Sequence, residues 1–136
     1  MHKVLIINGS PRENGNTSVA VSEVAKTLRN DGIEPLVVRI GSDNIRGCIA
    51  CGYCLKNGKC VFNDKVNELS KIFEEVDGLI VASPVYYASA NATLIATLDR
   101  LFYSSHFDMR FKVGASIVVA RRGGCSSTFD ELNKYF

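Results

Sequence analysis

Short apolar runs that suit buried strands alternate with helical segments along the chain, and this alternation constrains the fold more than any other feature. The first run, residues 3–8 (KVLIIN), is nearly all aliphatic and ends at Gly9, as expected of a strand buried on both faces. Three further strands are predicted at residues 36–40, 78–83 and 113–120. Helices are predicted between and after the strands, at residues 17–30, 66–76, 94–102 and 130–136.

Helix caps and one long irregular segment complete the pattern. Asn16 or Thr17 can cap the first helix, Gly32 can stop it, and Asp64 can cap the second helix. Residues 41–63 between them are too rich in Gly, Cys and Asn for regular structure. An irregular segment of this length within a compact domain indicates a functional role.

Strands that alternate with helices indicate a parallel sheet with helices on both faces, because right-handed crossovers place them there. The sequence therefore predicts one α/β domain over residues 1–136, a doubly wound parallel sheet with a cysteine-rich loop at residues 41–63. Four strands are one short of a five-stranded domain. Strand four is thus expected at an edge, which indicates either that the chain is a truncated form or that a partner subunit covers that edge.

Charge and hydropathy exclude several classes of partner. The 16 Lys and Arg nearly balance the 14 Asp and Glu, so a net charge of +2 gives no field that would attract nucleic acid or an anionic membrane. No apolar stretch approaches eighteen residues, and the N-terminus enters a strand without a leader. A cytoplasmic location is expected.

The polar loop after the first strand leads directly into a helix N-terminus. It has the sequence GSPRENGNTS over residues 9–18, and free backbone N–H groups with the positive end of the helix dipole favour a phosphate there. Hydroxyls of Ser10, Thr17 and Ser18 can add donors. The loop matches neither the Walker A pattern nor G-x-G-x-x-G, which disfavours a nucleoside triphosphate or a dinucleotide. A polar turn with a capped helix is the alternative interpretation.

The loops after strands three and four converge on the same sheet edge, where such folds bind ligands. Residues 83–91 (SPVYYASAN) hold a conformationally fixed proline and the pair Tyr86 and Tyr87, which can face a flat ligand such as an isoalloxazine ring. Residues 121–124 (RRGG) permit close backbone approach and bring positive charge near the electron-rich end of a reduced flavin. The tyrosines can equally be rim residues, and Asp99 and Arg100 a pair on a helix surface.

Four of the five cysteines lie within thirteen positions, at Cys48, Cys51, Cys54 and Cys60. In a reducing compartment such clustering favours a metal over disulfides. Two x2 spacings followed by x5 favour a 4Fe-4S cluster, with zinc as the second candidate and unligated or oxidised thiols as the third. Cys125 lies outside the run and is expected to be a small buried residue.

Together these motifs, over residues 3–135, resemble the flavodoxin-like NADPH-dependent FMN reductase superfamily, and most closely its iron-sulfur flavoprotein branch. The resemblance implies that GSPRENGNTS binds the FMN phosphate, that residues 84–87 with Asn91 form the second flavin loop, and that residues 123–124 form the third. Asp99 and Arg100 close the helix motif. The implied flavodoxin-like domain lacks the last strand and helix. The implied FMN-binding residues are Ser10, Arg12, Asn16, Thr17, Ser18, Pro84, Val85, Tyr86, Tyr87, Asn91, Gly123 and Gly124.

The resemblance also implies an FMN-dependent oxidoreductase that couples FMN to a 4Fe-4S cluster on the four clustered cysteines. NAD(P)H or a ferredoxin-like carrier is the implied partner, and a homodimer or homotetramer the implied assembly. No side chain is expected to act as acid or base. Two alternatives remain: an NAD(P)H-dependent FMN or quinone reductase with vacant cysteines, and a non-catalytic module that binds zinc and docks a partner.

Overall fold

The fold is a four-stranded parallel sheet flanked by helices. The computed structural model describes residues 1–136, and all strands pair in parallel in the order β2-β1-β3-β4. These are the first four positions of the flavodoxin-like order, which confirms the predicted doubly wound α/β sheet. The elements are β1 Lys3–Asn8, α1 Asn16–Asn30, β2 Glu34–Arg39, α2 Tyr53–Asn57, α3 Lys65–Glu75, β3 Gly78–Pro84, α4 Ala92–Ser104, β4 Val113–Val119 and α5 Cys125–Asn133.

Alternate residues of the central strands supply two separate cores, as the period of two requires. Leu5 and Ile7 point to the face covered by α3, α4 and α5, where they join the larger buried cluster. Ile6 between them packs against Val21 and Ala25 of α1 on the other face. Because both faces of β1 are covered, its near-continuous aliphatic sequence is explained.

Two predicted boundaries near the first crossover were wrong. β2 begins at Glu34, two residues earlier than expected; Pro35 lacks an N–H group, but an edge strand tolerates it. α1 begins at Asn16, and its N-cap is Gly15, with no side-chain hydrogen bond to the cap. Thr17 is instead buried inside the first turn.

Two further differences concern the cysteine-rich segment and the C-terminal helix. The segment contains one short helix, α2, between Gly52 and Gly58, which both adopt positive φ. α5 begins at Cys125 rather than near residue 130, because Gly124 at φ +92° provides the turn that starts it. Cys125 is therefore the half-buried first residue of a helix and not a buried core residue.

The outer edge of β4 pairs with no other strand. Its sequence, VGASIVV, contains neither proline nor a charged residue, and Val113 at its start is 71% exposed. Phe111, two residues before it, has a positive φ and an almost fully exposed ring. The edge predicted for strand four is thus present. None of the helices is long and apolar enough to cross a membrane.

Candidate functional site

The carboxyl edge of the sheet carries an open cleft of about 710 Å³. The loops after β1, β3 and β4 each contribute part of its wall, as expected when parallel strands end at the same edge. Ligand sites for drug-sized molecules usually enclose about 300 to 1,000 Å³. The residues that line the cleft are Ser10, Pro11, Arg12, Gly15, Asn16, Thr17, Pro84, Val85, Tyr86, Val119, Ala120 and Arg121.

The loop after β1 is held in shape by the last residue of that strand. The buried Asn8 side chain accepts a hydrogen bond from the Ser10 N–H at 2.9 Å and donates one to Ser18 Oγ at 3.0 Å. Ser18 Oγ in turn donates to the Arg12 carbonyl at 3.2 Å, and the Arg12 N–H donates to Ser10 Oγ at 3.2 Å. The loop is therefore ordered by its own polar groups.

The chain segment that follows β2 passes close to the backbone of the same loop. Gly41, just after β2, lies so near the backbone of Gly9 and Ser10 that a Cβ at this position would overlap their atoms. The three nearest atoms all belong to the backbone, so the overlap cannot be relieved by moving a side chain. Glycine is required at residue 41 if the loop is to keep this path.

The N-terminus of α1 opens towards the cleft with its N–H groups free of side-chain caps. α3 and α4 differ in this respect, because Asp64 accepts from Val66 and Asn91 accepts from Thr93 and Leu94. The first turn of α1 also lacks acidic residues. Uncapped N–H groups and the helix dipole make this end of the cleft favourable for an anion.

Seven of the twelve residues predicted to contact a cofactor line the cleft, and five do not. Those in the wall are Ser10, Arg12, Asn16, Thr17, Pro84, Val85 and Tyr86. Ser18 supports the loop, Asn91 caps α4, and Gly124 starts α5. Tyr87 is 99% exposed, and Gly123 is exposed, where an added Cβ would meet nothing within 4 Å.

Sequence reasoning did not single out four residues of the wall: Pro11, Gly15, Val119 and Ala120. Val119 and Ala120 follow directly from topology, because the carboxyl ends of parallel strands meet at the ligand edge of the sheet and these two residues end β4 and begin its loop. Arg121 was expected to bring positive charge to this region and does line the cleft.

A second, smaller pocket of about 150 Å³ lies beside the C-terminal half of α4. All four clustered cysteines line it, together with Arg100, Tyr103 and Ser104 of α4. Cys48 and Cys51 are exposed and Cys54 and Cys60 half-buried. The thiols share the pocket without converging, since no three His, Cys, Asp or Glu side chains form a group that could hold a metal ion.

Arg100 is buried in this pocket, so the alternative interpretation of Asp99 and Arg100 as a pair on a helix surface was wrong for Arg100. Its guanidinium forms two 2.8 Å hydrogen bonds with the carboxylate of Asp64, the N-cap of α3. It also donates through Nε to Cys60 Sγ at 3.3 Å and through a terminal nitrogen to the Arg46 carbonyl at 3.1 Å. Burial by itself lowers the pKa of Arg100, but the bonds to Asp64 and Cys60 outweigh it, so the pKa lies above its ordinary value.

Comparison with known proteins gives one family and several curated relatives. The family model described as NADPH-dependent FMN reductase matches residues 2–136. The chain is 36% identical to an iron-sulfur flavoprotein of Methanocaldococcus jannaschii, over 98% of this chain and 71% of the relative. It is 42% identical to an iron-sulfur flavoprotein of Archaeoglobus fulgidus, over 86% of this chain but only 54% of the relative.

Solved structures agree with the fold. RosB with a bound formylated riboflavin phosphate intermediate superposes with a TM-score of 0.76 at 17% identity, over 99% of this chain and 58% of that one. The apo form of an NADH:FMN oxidoreductase gives a TM-score of 0.67 at 23% identity, over 96% of this chain and 65% of that one. The chain thus spans between about half and three quarters of these relatives and neighbours.

Proposed function

The chain belongs to the NADPH-dependent FMN reductase family, a family of FMN-dependent oxidoreductases, and from this premise we propose that it couples FMN in the edge cleft to a 4Fe-4S cluster. The cluster would be held by Cys48, Cys51, Cys54 and Cys60. The observation that carries the proposal is that the cleft and the cysteine pocket occur in one chain whose curated relatives are named iron-sulfur flavoproteins.

The phosphate of FMN fits the end of the cleft formed by the loop after β1. The uncapped N–H groups of α1 and the hydroxyls of Ser10 and Thr17 can donate to phosphate oxygens, and Arg12 adds a positive charge. Arg39 donates to the Pro11 carbonyl at 3.2 Å and so steadies the loop. These groups bind and orient the cofactor and take no part in proton transfer.

The isoalloxazine ring fits the part of the cleft bounded by the β3 and β4 loops. Tyr86 offers an aromatic face, and the backbone after Val119 offers N–H and carbonyl groups to the ring edge. Arg121 can stabilise negative charge on the ring. When bound, FMN supplies one- and two-electron redox chemistry; the protein positions it and adjusts its potential through these contacts.

The cysteine pocket fits a cluster in its donor set and in one orphaned polar atom. Four soft thiol donors line it, and such donors select iron-sulfur clusters or zinc. The buried Ser104 hydroxyl in the wall of the pocket has no hydrogen-bond partner, which indicates a group that this oxygen is built to meet. The exposed loop that carries Cys48 and Cys51 would then close around the cluster.

The partners follow from the family and from surface features. NADPH is the donor named in the family description, and NAD(P)H is therefore the first candidate. A ferredoxin-like carrier is the second candidate, because the exposed side chains of Leu55, Lys56 and Lys59 give the cysteine loop an apolar and basic surface. A homodimer or homotetramer is supported by the open edge of β4.

An NAD(P)H-dependent FMN or quinone reductase with vacant cysteines is the second candidate function. It is favoured by the thiols' lack of convergence. The two candidates are separated by an anaerobic absorption spectrum of the reconstituted chain, with FMN, iron, sulfide and zinc quantified on the same sample. We expect flavin bands with about four irons per chain. Flavin without iron would transfer the assignment to the simple reductase, and zinc without flavin would replace both with a zinc-binding interaction module.

The Asn8 side chain gives a direct test of the phosphate loop. In Asn8→Ala the Ser10 N–H loses its acceptor and Ser18 its donor, at a cost of about 1 to 3 kcal/mol. We expect FMN to bind about tenfold more weakly, as measured by quenching of flavin fluorescence. Asn30→Ala, at the exposed end of α1, is the matched control and should bind as the wild type does. Equal affinities for the two variants would contradict the assignment of this loop.

A further inference from the structure

Two hydrogen-bond donors stand one helical turn apart in the wall of the cysteine pocket. Arg100 and Ser104 both belong to α4 and both line the pocket. Positions i and i+4 lie on the same face of a helix. Both side chains are almost fully buried, with residual exposures of 1% and 2%. The pocket therefore has a fixed polar wall opposite a loop of cysteines.

Arg100 is committed to sulfur as well as to its carboxylate partner. Four of its five N–H groups are assigned: two to Asp64, one to the Arg46 carbonyl, and Nε–H to Cys60 Sγ. Asp64 largely compensates the positive charge, so what Arg100 presents to the pocket is mainly a directed N–H group. The ion pair with Asp64 uses only the terminal nitrogens of Arg100, so the bond from Nε–H to Cys60 Sγ is an additional interaction.

Ser104 differs from Arg100, because its hydroxyl group makes no hydrogen bond. The Oγ atom is buried and has no partner, and it is the only buried side-chain polar atom of the chain in that state. The next residue shows that the helix can satisfy a serine here, since Ser105 Oγ lies 2.7 Å from Ser70 Oγ of α3. Of these two adjacent serines, only Ser104, which lines the cysteine pocket, has a hydroxyl without a partner.

Cys60 is the clustered cysteine with the most hydrogen bonds to the two helices; Cys54 has one, from its Sγ to the Tyr103 carbonyl of α4 at 3.7 Å. The Cys60 N–H donates to Asn67 Oδ1 at 2.9 Å and its carbonyl accepts from Asn67 Nδ2 at 3.1 Å, while Arg100 reaches its Sγ. Cys60 is thus hydrogen-bonded by one residue of α3 and by one residue of α4. Cys48 and Cys51 are exposed on the loop and have no such support from the two helices.

We propose that Arg100 and Ser104 are sulfur-directed positioning residues: Arg100 fixes Cys60 as the first ligand, and Ser104 donates its hydroxyl to a sulfur of the bound cluster. This inference rests on the proposed function and adds to it the residues that adjust the cluster. Hydrogen bonds to cluster sulfurs favour the reduced state, which carries more negative charge, and therefore raise the reduction potential. Such supporting contacts also slow the loss of metal.

The decisive variant is Ser104→Ala, because it separates a ligand role from a structural one. Without the cluster, the variant loses only an unsatisfied buried hydroxyl, so its thermal midpoint should equal or exceed that of the wild type. With the cluster, its reduction potential should be lower and its iron release to a chelator about tenfold faster. Ser105→Ala, one residue along the helix and bonded to Ser70, is the control and should leave both cluster properties unchanged.

Arg100→Lys provides a second, independent readout on the unloaded protein. Lysine keeps the positive charge but loses the N–H that reaches Cys60 Sγ. Cys60 is then no longer held by Arg100, so the ratio of its alkylation rate to that of Cys48 should change, as followed by peptide mass spectrometry. An unchanged alkylation ratio would overturn the anchoring of Cys60. A loaded Ser104→Ala variant with wild-type potential and iron release would overturn the role of Ser104. A wild type that takes up no iron would overturn the cluster assignment and this inference together, and so can be told apart from either.

Discussion

Replacing Gly41 with alanine should weaken FMN binding by about 100-fold or more while the chain still folds. The added Cβ would overlap backbone atoms of Gly9 and Ser10, so the loop after β1 must shift. Overpacking of this kind costs about 3 kcal/mol when backbone has to move, and that energy corresponds to roughly 100-fold in affinity. Titration of the unloaded protein with FMN, followed by flavin fluorescence, measures the effect.

The control for this variant is Gly47→Ala, in the same cysteine-rich loop at residues 41–63. An added Cβ at Gly47 would meet nothing within 4 Å, so this variant should bind FMN as the wild type does. Circular dichroism of both variants would verify that the sheet and helices persist. Wild-type affinity in Gly41→Ala would mean that the loop has another path compatible with phosphate binding, and the assignment of its backbone to the phosphate would have to be given up.

Replacing Cys51 with serine should remove most of the iron from the reconstituted protein and leave its FMN content unchanged. Cys51 is exposed on the loop, so the substitution does not disturb a core, whereas a serine hydroxyl is a poor ligand for iron because it lacks the soft thiolate. Iron, sulfide and the visible absorption after anaerobic reconstitution report the loss. FMN, bound at the other site, serves as an internal standard for folding.

Cys125→Ser is the matched control for this experiment. Cys125 starts α5 after the β4 loop and is not part of the cysteine pocket. Its variant should hold as much iron as the wild type. Similar iron contents in Cys51→Ser and Cys125→Ser would show that the iron is bound without the cysteine loop and would refute the proposed cluster site.

The elements of the sheet could be predicted closely because their signals are local. The aliphatic run at residues 3–8 coincides with β1, and the predicted strand at residues 113–120 differs from β4 by one residue. The cap Asp64 is equally local, since its side chain accepts from the N–H of Val66, two residues further on. Asn91 was predicted as a flavin contact, and its role as the cap of α4 was missed. Gly15 as the cap of α1 was not predictable in this way, because no side chain marks it.

The sites depend on contacts between distant residues and were harder to predict. Arg100 is buried because Asp64, 36 positions away, meets it with two hydrogen bonds, and no periodicity on α4 reveals such a partner. The overlap of Gly41 with the first loop likewise follows only from the path of the backbone. The sequence predicted that Cys48 and its neighbours act together, but how far apart four thiols stand in a loop depends on the loop's conformation.

The open edge of β4 makes protein concentration a variable in every measurement described above. A strand with free N–H and carbonyl groups and no charge or proline offers a template on which another strand can add, and the exposed rings and methyl groups of Phe111 and Val113 lie at its start. A dilution series with light scattering should therefore accompany each titration. If turbidity rises with concentration while FMN affinity stays constant, the chain aggregates through the unpaired side of β4, and this aggregation does not involve the FMN cleft at the carboxyl ends of the strands.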